Sequence, residues 1–62
     1  MASLWLTQLE CDVRGYYIAL VSGTRLDIHK FRVNRSINEL RRLGVNRDKI
    51  EEVLSEVAIE IL

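Results

Sequence analysis

A lone cysteine, Cys11, in a chain of 62 residues is the tightest constraint on what this sequence folds into. One thiol cannot form a disulfide within the chain. One cysteine and one histidine, His29, supply too few soft ligands for a structural zinc site. A domain of this size buries only about 60% of the surface its unfolded chain exposes, so packing and association have to supply its stability. The composition, 48% hydrophobic and 29% charged, is that of a globular chain and not of a disordered one. No apolar run approaches the roughly 18 residues of a membrane span, and the N-terminus lacks a basic stretch followed by a small-residue cleavage site. The expectation is therefore one small cytoplasmic domain over residues 1–62, with no membrane partner, metal, cofactor or small-molecule substrate.

Gly15, Gly23 and Gly44 are the only glycines, and proline is absent. Between Leu4 and Ile28 the residues alternate. Asp12-Val13-Arg14-Gly15 has the composition of a type I turn closed by a glycine bulge, and Ser22-Gly23 that of a two-residue turn. The two turns imply one consistent face: Trp5, Thr7, Leu9, Cys11, Tyr17, Ala19, Val21, Thr24, Leu26 and Ile28. A one-residue slip would exchange the faces, so this agreement points to a three-stranded antiparallel meander. A competing pattern exists over the first strand. Ala2, Trp5, Leu6, Leu9 and Val13 also fit a helical stripe, with Ser3 as its cap.

Beyond Ile28 the alternation loses phase, since Phe31 and Val33 fall on the other side, as a bulge near His29-Lys30 would require. Ser36-Ile37-Asn38-Glu39 has the form of a capping box opening a short helix, and Gly44 sits where a left-handed C-terminal residue is expected. Asn46 then caps a second helix, with Asp48 in its first turn against the positive end of the dipole. Ile50, Val53, Leu54, Val57, Ala58 and Ile61 recur along it at helical spacing. The expected fold is α+β: a three-stranded antiparallel β-meander from Leu4 to about Val33, a short helix, and a longer C-terminal amphipathic helix covering the sheet. The order is βββαα in two layers.

Candidates for catalysis are few. The strand register buries Cys11 as a small apolar residue and turns His29 to the opposite side, which keeps them apart as a nucleophile and base. Glu51, Glu52, Glu56 and Glu60 lie mostly on the polar face of a helix, the ordinary place for glutamates. Three isolated glycines make no phosphate loop. No catalytic residue is assigned, and an enzyme is not expected.

The net charge is zero, but the charges are segregated. From Thr24 to Lys49 eight basic residues face three acids, a net of +5, and from Ile50 onward there are four acids and no base. Arg32, Arg35, Arg41, Arg42 and Arg47, gathered around a capped helix start, have the chemistry to hold phosphates. The plainer expectation is that Arg35, Arg41 and Arg42 face the glutamates of the last helix, within one chain or across a dimer. Its C-terminal end crowds Glu56, Glu60 and the terminal carboxylate against the negative end of the dipole.

The same register puts Leu4, Leu6, Tyr16, Ile18 and Leu20 on the outer sheet face, more apolar area than ordinary scatter leaves exposed. A second copy or a partner protein would cover it. The stretch from Thr24 to Leu62 resembles a ribbon-helix-helix DNA-binding unit: an alternating strand, a helix, then Leu43-Gly44-Val45-Asn46-Arg47 leading into a second amphipathic helix. The resemblance implies a strand paired with its twin in a dimer, with side chains in the major groove. The first helix is about a turn shorter than the family pattern, and an upstream hairpin would occupy the strand's edge. A second likeness is to domains that bind DNA through a three-stranded sheet followed by a helix. Their exposed sheet face is basic and aromatic, whereas here Arg25 is the only base before Lys30 on that face. The functional expectation is a non-enzymatic interaction module, a homodimer or accessory subunit using Leu4, Leu6, Tyr16, Ile18 and Leu20. The alternative is a nucleic-acid-binding regulator using the arginines of residues 32–47.

Overall fold

Gly15 lies in the middle of a helix. In the computed structural model, which describes residues 2–62, α1 runs Ala2–Ser22, α2 runs Asp27–Arg42 and α3 runs Arg47–Ile61. No strand occurs among the described residues, so the fold is all-helical and the expected α+β meander is wrong. The alternative stripe through Ala2, Trp5, Leu6, Leu9 and Val13 is the one that forms. It continues past Gly15 into Tyr16, Tyr17 and Leu20. A glycine inside a helix costs only about 1 kcal/mol relative to alanine, too little to end 21 residues of otherwise favourable helix. The resemblances built on strands fall with the meander, because Asp27 to Val33 is the start of α2.

The phase loss after Ile28 has the same cause. His29, Val33, Ser36, Ile37 and Leu40 recur at helical spacing and form the inner face of α2. This helix starts without a side-chain cap: Leu26 occupies the cap position and makes no capping hydrogen bond. Asp27 in the first turn and Arg41 and Arg42 in the last suit its dipole instead. The capping box expected at Ser36 is interior helix.

Gly23 and Gly44 end α1 and α2. Both are left-handed, with φ of 73° and 84°. At the first, Thr24 N–H donates to Ala19 O at 3.0 Å and Gly23 N–H to Leu20 O at 3.4 Å. At the second, Val45 N–H donates to Leu40 O at 2.9 Å and Gly44 N–H to Arg41 O at 3.0 Å. Both patterns are Schellman motifs, which satisfy carbonyls left over at a helix end. Ser22-Gly23 is therefore a helix stop and not a hairpin turn, while Gly44 performs the role expected of it. Asn46 caps α3 as expected, its side chain accepting from Asp48 N–H at 2.8 Å.

The longest helix, α1, packs along both of the others, while α2 and α3 touch each other little. Leu9 and Val13 of α1, Leu40 of α2, and Ile50, Val53 and Val57 of α3 form the buried core. Removing each such side chain from water contributes about 1.5–3 kcal/mol. Trp5, Leu6 and Tyr17 pack against the edge of this cluster. Two polar side chains are buried with it. Ser36 Oγ donates to Asp12 Oδ2 at 2.6 Å, and Gln8 Nε2 donates to Asp12 Oδ1 at 2.9 Å. No buried side-chain nitrogen or oxygen among the described residues lacks a partner.

Candidate functional site

The five residues expected on one sheet face all lie on α1, where helical geometry separates them. Leu6 packs against the core and Tyr16 is half-buried, lining an open groove of about 400 Å³ with Lys30, Val33 and Asn34. Leu4 and Ile18 share the side of α1 opposite Leu9, and Leu20 is exposed near its C-terminal end. The expected interface of Leu4, Leu6, Tyr16, Ile18 and Leu20 therefore does not exist as one face. Conversely, Cys11 and Val21, expected in the core, are exposed. Thr7, Thr24 and Ile28, also placed on the core face, are exposed too.

What emerges is an outer face of α1 with Leu4, Thr7, Cys11, Ile18 and Val21 along it. Leu4 is 69% exposed, Ile18 51% and Val21 66%. Leu4, Cys11 and Ile18 are spaced seven apart, with Thr7, Arg14 and Val21 at the interleaved position. That is the spacing of a seam between two helices. Arg14, in the middle of the interleaved row, bends towards α3: its Nη2 donates to Glu60 Oε2 at 3.0 Å and to Glu10 Oε1 at 3.3 Å. The hydrogen bond and charge of Glu60, then those of Glu10, raise the Arg14 pKa above its ordinary value, and partial desolvation only opposes this. Arg14, expected in a hairpin turn, is thus the base that relieves the negative end of α3.

The arginines divide into paired and unpaired. Arg42 pairs with Glu39 of its own helix at 2.7 Å, and Arg47 with Glu51 of α3 at 3.0 Å. Arg32, Arg35 and Arg41 make no ion pair among the described residues, so the expected contact of Arg35, Arg41 and Arg42 with the α3 glutamates does not form within the chain. Four of the five named arginines, Arg32, Arg35, Arg41 and Arg42, are exposed on α2, whereas Arg47 belongs to α3. Lys30, Phe31, Asn34 and Asn38 stand beside them on α2 and were missed. Their spacing signals a shared surface only once the segment is read with a helical period in place of alternation.

His29 is half-buried, and a methyl group added at Gly15 would meet its Nδ1 at 3.4 Å. No cluster of three or more His, Cys, Asp or Glu with metal-binding placement occurs among the described residues. No helix among the described residues is long and apolar enough to cross a membrane. Compared with protein-family models, curated proteins and solved structures, the chain matches none of them.

Proposed function

We propose that this chain is a non-enzymatic helical interaction module that pairs with a second copy of itself through the outer face of α1. The observation that carries the reading is the exposure of Leu4 and Ile18 on the side of α1 turned away from Leu9, with Val21 exposed near the C-terminal end of the helix. A helix apolar on both its inner and outer sides is the kind that ends up covered on both. Leu4, Cys11 and Ile18 at heptad spacing fit a helix of the same kind, and a two-fold pairing of one face with itself closes without leaving an open edge. The covering also answers the small size of the core, because a chain this short gains stability from association.

Sedimentation velocity over a concentration series tests the reading. The wild type is expected to dimerise in the micromolar range, with a melting temperature that rises with concentration. Leu4→Lys combined with Ile18→Lys is expected to yield a folded monomer, since neither side chain belongs to the core cluster. A wild type that stays monomeric at about 200 μM, equivalent to association weaker than about 5 kcal/mol, would overturn the homodimer.

A further inference from the structure

The side of α2 turned away from the core carries cations in two rows with amides between them. Helical spacing places Lys30 and Arg41 on one flank, Arg32 and Arg35 on the other, and Phe31, Asn34 and Asn38 along the middle. All seven are exposed. Each of the two acids of the helix has an arginine beside it, Asp27, which shares the middle row, at 3.4 Å from Arg25 and Glu39 at 2.7 Å from Arg42. Lys30, Arg32, Arg35 and Arg41 make no ion pair among the described residues. We propose that this face binds double-stranded DNA, with α2 lying along the major groove.

The geometry matches the ligand. A helix with its side chains is about 10–12 Å across and the major groove about 12 Å wide, so flanking cations meet phosphates on both strands. Guanidinium forks suit phosphate oxygens in two-point contact. Asn34 and Asn38, four residues apart at the centre of the face, offer a donor and an acceptor each, the pattern that pairs with adenine edges. A helix that lies in an anionic membrane surface carries a continuous apolar strip between its cations. Here Asn34 and Asn38 interrupt that strip, leaving Phe31 as its one large apolar side chain, so the face suits a polyanion with hydrogen-bonding edges. The acids of α3 leave the cationic side confined to α2. The α1 surface takes no part in this binding.

Fluorescence anisotropy with a short labelled duplex, titrated between about 50 and about 200 mM NaCl, tests the proposal on the full chain. Four phosphate contacts predict a log–log slope of about −3.6, a loss in affinity on the order of 10²-fold over that range. Arg35→Gln is expected to reduce the slope by about 0.9, and Arg47→Gln, on α3, to leave it unchanged. Asn34→Ala with Asn38→Ala is expected to keep the slope and flatten any preference for A·T-rich duplexes. The Leu4→Lys, Ile18→Lys chain is expected to keep the slope per chain, which separates this proposal from self-association through α1. Circular dichroism checks that each exposed substitution leaves the helices intact. No binding at low salt with about 100 μM chain, an equal loss from Arg47→Gln and Arg35→Gln, or binding to phosphatidylglycerol vesicles without binding to the duplex would each overturn it.

Discussion

Ser36 of α2 donates a 2.6 Å hydrogen bond to Asp12 of α1, and neither residue reaches solvent freely. The pair ties the middles of two helices together inside an apolar core. Gln8 supplies the second donor to the same carboxyl group, so the cluster is fully satisfied. Ser36→Ala is expected to cost about 1–3 kcal/mol in urea unfolding, because it strips a donor from a buried acceptor. Replacing both partners with apolar residues, Asp12→Leu with Ser36→Ala, is expected to recover part of that loss. Additive losses in the double substitution would show that the bond carries no coupling.

The two faces of α1 separate by stability. Leu9 is fully buried, and Leu9→Ala is expected to cost about 2–5 kcal/mol by removing contacts and leaving a cavity. Leu4→Ala, measured at a concentration where the chain is monomeric, is expected to stay within about 0.5 kcal/mol of wild type. A similar cost for both would mean that the outer side of α1 is packed within the chain.

The glycines are expected to respond with opposite signs. At Gly15 a methyl group meets His29 at 3.4 Å, an ordinary contact, so Gly15→Ala should stabilise by up to about 1 kcal/mol through helix propensity. Nothing lies near Gly23 or Gly44, yet both have positive φ, and alanine there should cost about 1–2 kcal/mol. Thermal unfolding of the three single variants checks the signs.

The Arg14–Glu60 pair is the one ion pair that joins two helices among the described residues. Arg14→Gln should lower the melting temperature slightly at low salt and have no effect in about 1 M salt, where the screening length falls to about 3 Å. Since the paired guanidinium has a raised pKa, the contribution it makes to folding is present through the neutral range. It fades only as strongly alkaline pH removes the proton. A salt-independent loss would mean that the Arg14 stem contributes by packing.

Residues 44–61 were legible from the sequence because their signals are local. Gly44 can adopt φ of 84° without a Cβ penalty, Asn46 caps the next turn with its own side chain, and Ile50 to Ile61 repeat at a spacing only a helix uses. Residues 2–33 were not, because their apolar residues satisfy two periods at once. Leu9 fits both an alternating strand and a helical stripe, Val13 both a turn and the same stripe, and Gly15 passes equally for a turn and for a small residue beside another helix. Only packing decided between them. As a helix, α1 brings Leu9 and Val13 onto Leu40, Ile50, Val53 and Val57, sets Gly15 beside His29, and delivers Asp12 to Ser36. The serine that would cap a helix locally then has a buried acceptor across the interface. The surfaces followed the same rule: composition alone placed eight of the nine basic residues between Thr24 and Lys49. Which of them stand free depended on where α2 begins, what its acids pair with, and which side of it α1 covers.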